Sequence, residues 1–516
     1  MYPTRYDVWP RYRTHRIAKN KNWIKNSVFK THIKQYCKET SIHGLSYTVQ
    51  DGYSKLERMF WTIVTIISIG VAVFLAYLIL HRFSVSPTIT TMETSNYPTW
   101  KIPFPAVTLC NSNKVRKSVV LAISEKLSKL YKIDPVNTEN YFKKIIALIT
   151  RDDIEFLEID RLVEQSVLSQ INKTDATIED IMYMVSQPCT ELLVQCKWNG
   201  KKTNCSEMFH PSKAVDGHCC SFNYFVNLRN LTSYTDNILN TEYIGGTGRD
   251  DGLTVIMNTN SSDYFAAIYS YYGIKVIIHE ADIFPETSTL DAIAQPGNIL
   301  KMAINPYYVK SEENVKSLKL SQRLCLFPDE AKLLTLNLYD YQQCINECRV
   351  RIIYNYCKCI PFFYPLSLNS SILCNLTHAE CMNKNSAVFS NLLPDNVSEN
   401  SETLCTDCLP DCSQVSYTKT STVTKLNKDH FTISSDLNSN HSKLRVLYQD
   451  ILCIKYRREA MVTWDTIVAS LGGIFGLCLG GSVLSIVELI FYFTIRLFRR
   501  IHDNKRKKQK TIPKYY

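Results

Sequence analysis

GGIFGLCLGGSVLSIVELIFYF, residues 472–493, decides how the chain is to be read. Five glycines fall between Gly472 and Gly481, out of 16 in the whole chain, and Glu488 follows inside an otherwise apolar run. Glycine costs a helix roughly 1 kcal/mol per residue relative to alanine. Lipid accepts neither unpaired backbone nor unpartnered charge. Both faults in one membrane-grade segment need a reason, and the ordinary one is a lipid-embedded helix-packing face. Gly472, Gly476 and Gly480 have the small-xxx-small spacing of a packing face, and by themselves they favour packing.

Working outward, Thr466–Val487 is an uncharged run of 22 residues bracketed by Asp465 and Glu488. Met59–Leu80 is a second uncharged run of the same length. Each suffices to cross roughly 30 Å of hydrocarbon as a helix. The polar and basic residues before Met59 argue against a cleavable signal peptide. The net charge of +11 divides unevenly: residues 1–58 and 496–516 each carry +8, which leaves −5 for the middle. Two basic tails beside two spans place both ends in the cytosol. The KRKKQK run at 505–510 reads as an anchor near anionic lipid rather than as a nucleic-acid signal.

N-x-S/T sequons occur at Asn172, Asn204, Asn230, Asn260, Asn369, Asn375, Asn396 and Asn440, all between the spans. Their confinement supports a glycosylated, extracellular middle. The expected layout is a cytosolic tail over 1–58, a span over 59–80, an extracellular region over 81–462, a span over 463–495 and a basic cytosolic tail over 496–516. Of 19 cysteines, Cys37 falls in the first tail and Cys478 in the second span, so 17 lie in the extracellular region. Spacings such as C-x3-C at Cys344 and Cys348, or C-x-C at Cys357 and Cys359, could be drawn as metal ligands. An oxidising compartment favours disulfides instead, so no metal or cofactor is expected.

The stretch VRKSVVLAISEKLSKLYKI from Val115 returns apolar residues at three and four, as does NYFKKIIALI from Asn140. LTVIMN at 253–258 and YGIKVIIH at 272–279 have strand character. Ser317–Leu338 reads as helical. The fold class is therefore mixed α/β. GGTGRDDG at 245–252 lacks the G-K-[ST] of a phosphate loop and reads as a surface turn. No zincin, nucleophile-elbow or kinase signature is present, so nothing supports an enzyme.

Several separated strings then match one family. SIHG at 41–44, FPAVTLCN at 104–111, GHCCSFN at 217–223, CINECRVRIIYNYCKCIPFFYP from Cys344, CTDCLPDCSQVSY from Cys405, and KYRREAMVTW leading into the glycine segment occur in family order. The chain resembles the degenerin/epithelial sodium channels, and among them most the insect pickpocket group. The resemblance implies a trimer whose subunits have palm, finger, thumb, knuckle and β-ball regions, with 115–210 finger-like and 317–412 thumb-like. It implies the bridges Cys110–Cys219, Cys196–Cys205, Cys325–Cys412, Cys344–Cys408, Cys348–Cys405, Cys357–Cys381 and Cys359–Cys374. Cys189 and Cys220 are left over and are expected to pair, with Cys453 unpaired.

For function, the resemblance implies an amiloride-sensitive sodium channel subunit in the plasma membrane, with Na⁺ as the permeant ion. It marks Gly480, Gly481 and Ser482 as the selectivity filter, where the span breaks helical form, and Ala469 as the degenerin gating position. It marks His43 and Gly44 as a gating motif in a re-entrant segment under the filter. Glu488 is read as attracting cations at the inner mouth or as an interhelical contact, and Asp465 as an acidic residue at the outer end. Expected partners are related subunits in a homo- or hetero-trimer, membrane lipid and an extracellular ligand of unknown kind, with no nucleic acid. Two other readings stand beside it: an obligate heteromeric or auxiliary subunit in chemosensory or mechanosensory cells, and a non-conducting two-span surface receptor.

Overall fold

The structure is a computed structural model. It describes residues 29–500 and 502, apart from 86, 172, 174, 226–240, 249, 287–289, 335–337, 366–371, 392–404, 428–439 and 462. The chain divides into two compact units, one of Thr90–Glu459 and one comprising the residues before and after it.

The larger unit is built on two main sheets. In the eight-stranded sheet, Asn298–Ser311 is the spine. Its burial alternates along most of its length, as a strand with one covered face requires. Gln414–Lys425 pairs antiparallel along one edge of it. On the other edge two strands share its length in parallel, His441–Tyr448 against residues 299–304 and Leu452–Ala460 against 307–311. Leu253–Asn258 and the hairpin Leu193–Trp198/Lys201–Thr203 extend the sheet. In the five-stranded sheet, Ile274–His279 is buried at every residue, with Lys275 paired to Asp216 and His279 Nε2 2.7 Å from Thr108 Oγ1. Phe104, Val107, Val276, Val255, Met302 and Tyr448 form a core shared by the two sheets.

A run of helices follows the short strand Asn113–Arg116: Lys117–Tyr131, Pro135–Lys144, Glu158–Leu168 and Ile178–Val185. Each buries one stripe, as the 3.6-residue repeat dictates. Local chemistry sets their starts: Asp134 accepts from Val136 N at 3.0 Å, and Thr177 N donates to Asp180 Oδ2 at 2.8 Å. Their inner faces share a core with helix Tyr341–Cys357 and with Phe362, Phe363 and Phe389. Sequence periodicity predicts a helix over Ser317–Leu338, and the structure corrects this. Among the described residues of that stretch, only Leu320–Arg323 makes a helical turn. Leu324 is left-handed at φ 51°, and Pro328 opens a turn in which Glu330 N donates to Phe327 O.

Eight disulfides tie the larger unit: Cys110–Cys219, Cys189–Cys220, Cys196–Cys205, Cys325–Cys412, Cys344–Cys408, Cys348–Cys405, Cys357–Cys381 and Cys359–Cys374. Cys344 and Cys348 stand four apart on one helix face, so their bridges to Cys408 and Cys405 form adjacent rungs. Cys453 is a buried free thiol, and Cys37 and Cys478 are free as well.

The smaller unit is helical. A helix over 29–39 is followed by Leu45–Val49 and the long helix Lys55–Val85. Lys55–Val85 is long and apolar enough to cross a membrane. Trp464–Leu479 packs beside it, and the chain resumes in Val483–Phe491 after a break.

Candidate functional site

The glycine-rich stretch is where the last helix breaks. Gly480 adopts a left-handed φ of 62°, which ends helix Trp464–Leu479. Gly480 N donates to Gly476 O at 2.8 Å and Gly481 N to Phe475 O at 3.1 Å. The chain turns by 73° and restarts as a helix at Val483, with Ser482 as its N-cap. Ser482 N donates to Ser485 Oγ at 3.1 Å, a cap supplied from one turn ahead.

A break frees carbonyls that a continuous helix would satisfy. One of them, Leu479 O, accepts from His43 N at 2.8 Å. A Cβ on Gly480 would land inside the His43 imidazole, so glycine is required there by both backbone and neighbour. Gly44 follows at φ 86°, and a Cβ on it would lie 2.7 Å from Thr65 Oγ1 in helix Lys55–Val85. His43 and Gly44 are thus wedged between the break and the first long helix.

Two residues earlier, Ser41 reaches past the break. Its N and Oγ both donate to Glu488 Oε2, at 3.2 and 2.9 Å, and its Oγ lies 2.8 Å from Ser485 Oγ. Ser485 is 5% exposed, the one buried residue of helix Val483–Phe491. Further along, His32 Nε2 lies 3.0 Å from Tyr492 O, and Tyr36 packs edge-on against Tyr492 and Phe493. Arg496 pairs with Glu39 at 2.6 Å, and Tyr492 Oη donates to the same carboxylate.

Of the residues expected at the site, Gly480, Gly481, Ser482, His43, Gly44 and Glu488 come together within this unit. Asp465 and Ala469 lie earlier on helix Trp464–Leu479, both exposed. The sequence reading overlooked Ser41, Ser485 and the Glu39–Arg496 pair. The S-x-x-S spacing of Ser482 and Ser485 is a capping signal that could have found one of them. Nothing in the local sequence marks Ser41 as a partner of residues more than 400 positions away.

The larger unit carries a second polar cluster. Asp340 caps helix Tyr341–Cys357 by accepting from Gln343 N at 2.8 Å, and Asp411 accepts from Tyr341 N at 3.2 Å. Burial, then the charge of Asp411, pushes the Asp340 carboxyl up to about 7. Burial is also the main reason that Asp411 is raised to about 6. Glu280 is held well above the usual carboxylate range by burial, then by Asp282, Asp340 and Asp411. Among the described residues, no group of three His, Cys, Asp or Glu side chains is placed to hold a metal ion. Of the sequons, Asn204 is exposed, whereas Asn260, Asn375 and Asn440 are half-buried. Asn172, Asn230, Asn369 and Asn396 lie outside the described residues, as do residues 1–28 and 503–516 of the two tails.

The sequence profile described as amiloride-sensitive sodium channel matches residues 36–492. Pickpocket protein 28 of Drosophila melanogaster is 25% identical over 511 residues, covering 91% of this chain and 79% of its own. Sodium channel protein Nach of the same species is 28% identical, covering 90% and 86%. The mouse bile acid-sensitive ion channel is 22% identical, covering 89% and 87%. With the match running from the helix before His43 through the broken helix, this chain belongs to the amiloride-sensitive sodium channel family.

Proposed function

We propose that the chain is a pore-forming subunit of a trimeric, sodium-selective channel of the plasma membrane. It crosses the bilayer twice, with both ends in the cytosol and Thr90–Glu459 outside. The break at Gly480–Ser482, held by His43, carries this reading. Irregular backbone at membrane depth is stable only where it faces protein or a water-filled path. Three copies of the break around one axis would present backbone oxygens and Ser482 hydroxyls to a dehydrating cation. Leu477, Val483 and Leu484 are 90%, 77% and 76% exposed in the single chain, surfaces that suit lipid and neighbouring copies.

Ala469 is proposed as the position where three side chains approach in the shut state, and Glu488 as an inner-mouth carboxylate. The test is whole-cell recording of the chain, alone and with related subunits, while external sodium is replaced by a large organic cation. An inward current that falls on replacement is expected. Ala469→Phe should raise the resting current, and a larger residue at Ser482 should alter the Na⁺/K⁺ permeability ratio. A conducting channel whose ratio ignores Ser482 would remove that residue from the filter.

A further inference from the structure

The hydrogen bonds around Ser41 form a chain whose direction is fixed by its ends. At one end stands the backbone N–H of Ser482, which can only donate. At the other stands Glu488 Oε2, which accepts from the Ser41 hydroxyl. Each serine hydroxyl between them has one proton to give. Ser41 Oγ gives its proton to Glu488, so Ser485 Oγ–H must donate to Ser41, and Ser485 Oγ in turn accepts from Ser482 N. All three links lie between 2.8 and 3.1 Å, and Ser482 Oγ stands 3.4 Å from Ser485 Oγ as a further, longer contact.

We infer that Ser41 and Ser485 are positioning residues for selectivity: they lock the Glu488 carboxylate to the N-cap of the broken helix. This rests on the channel reading and deepens it. Ser41 N also donates to Glu488 Oε2, so two donors hold one carboxylate oxygen. A carboxylate held this way keeps a fixed distance from the break, whereas a free glutamate would sweep through several rotamers. The segment before the first long helix thereby sets the charge geometry of the last one. Neither serine needs to touch a permeating ion.

The experiment has two arms on the full-length chain, both in a Cys37→Ser, Cys478→Ser background. In the first, Ser41→Cys and Ser485→Cys are combined, the protein is oxidised in nanodiscs, and tryptic peptides are sought in which the two positions are joined. In the second, reversal potentials are read for Ser41→Ala, Ser485→Ala, Glu488→Gln and their pairs. The joined peptide is expected. Each alanine should lower the Na⁺/K⁺ permeability ratio by roughly threefold to tenfold, the value of one or two hydrogen bonds. Adding Glu488→Gln to either should change nothing further, and Ser41→Thr, which keeps the hydroxyl, should restore the ratio. Absence of the cross-link overturns the inference whether or not the channel conducts. Unaltered ratios in the alanine variants, or additive losses with Glu488→Gln, overturn it too. If the cross-link forms but no sodium-selective current exists, the channel reading has failed, and the selectivity role falls with it.

Discussion

The two units of this chain are held together by opposite means. In Thr90–Glu459, Phe104, Tyr141 and Phe363 are fully buried and eight disulfides restrict the unfolded chain. In the smaller unit the apolar side chains of the long helices are largely exposed, and polar bonds hold the break at Gly480–Ser482 and the contact of residues 29–39 with the last helix. A unit bathed in water must supply its own cohesion. On the proposed channel reading, lipid and neighbouring copies would supply the smaller unit's remaining cohesion. Damage should therefore read out as lost function in the smaller unit and as lost stability in the larger.

The contrast can be broken most severely at Gly480. Gly480→Val would force a β-branched residue into left-handed backbone and drive its side chain into His43. Sodium current should fall by about a hundredfold or more while the protein still reaches the cell surface. Surface biotinylation beside whole-cell recording checks both halves, and loss of surface protein instead would mean that the break is structural. Next in size is the rung Cys344–Cys408, which closes a stretch of 64 residues. The double variant Cys344→Ala/Cys408→Ala should destabilise the larger unit by about 2–4 kcal/mol, seen as a lower Tm of the purified chain.

The smallest effect sharpens the contrast through pH. Asp340 and Asp411 have folded-state values raised to about 7 and about 6, against roughly 4 in an unfolded chain. The folded state thus holds these protons more tightly. The stabilisation is full below the unfolded value and is lost as pH rises through the folded ones. Lowering the pH from about 7.5 to about 5.5 should raise the contribution of these two carboxyls to the Tm of the larger unit by a few degrees, against the opposing charging of His218 and His279, which burial lowers to about 4. Asp340→Asn, which cannot ionise, should flatten that slope. A slope unaffected by Asp340→Asn would assign the pH response to other groups.

Much of this layout was legible in the residues. The run Met59–Leu80 lies inside helix Lys55–Val85, and hydropathy missed only the polar turns at its ends. LTVIMN is the strand Leu253–Asn258, and the last six residues of YGIKVIIH are the strand Ile274–His279. Ser317–Leu338 misled because its apolar spacing is compatible with a helix while Pro328 and the Cys325–Cys412 bridge impose a different path. Pro328 was the available warning. At the site, the glycines by themselves favour packing and the family resemblance marks the break, where Gly480 is left-handed and the chain turns by 73°. What no local pattern encodes is the His43 ring against Gly480, a contact across more than 400 residues. The same holds for Ser41 and Glu488.

The central claim is that the break faces the ion path. Its most direct measurement is block of sodium current by external Cd²⁺ in a Ser482→Cys channel, with Cys37 and Cys478 replaced by serine. The account predicts reversible block at Ser482→Cys and none at Leu484→Cys, two residues into the restarted helix. Current indifferent to Cd²⁺ at position 482, or blocked equally at both positions, would contradict it.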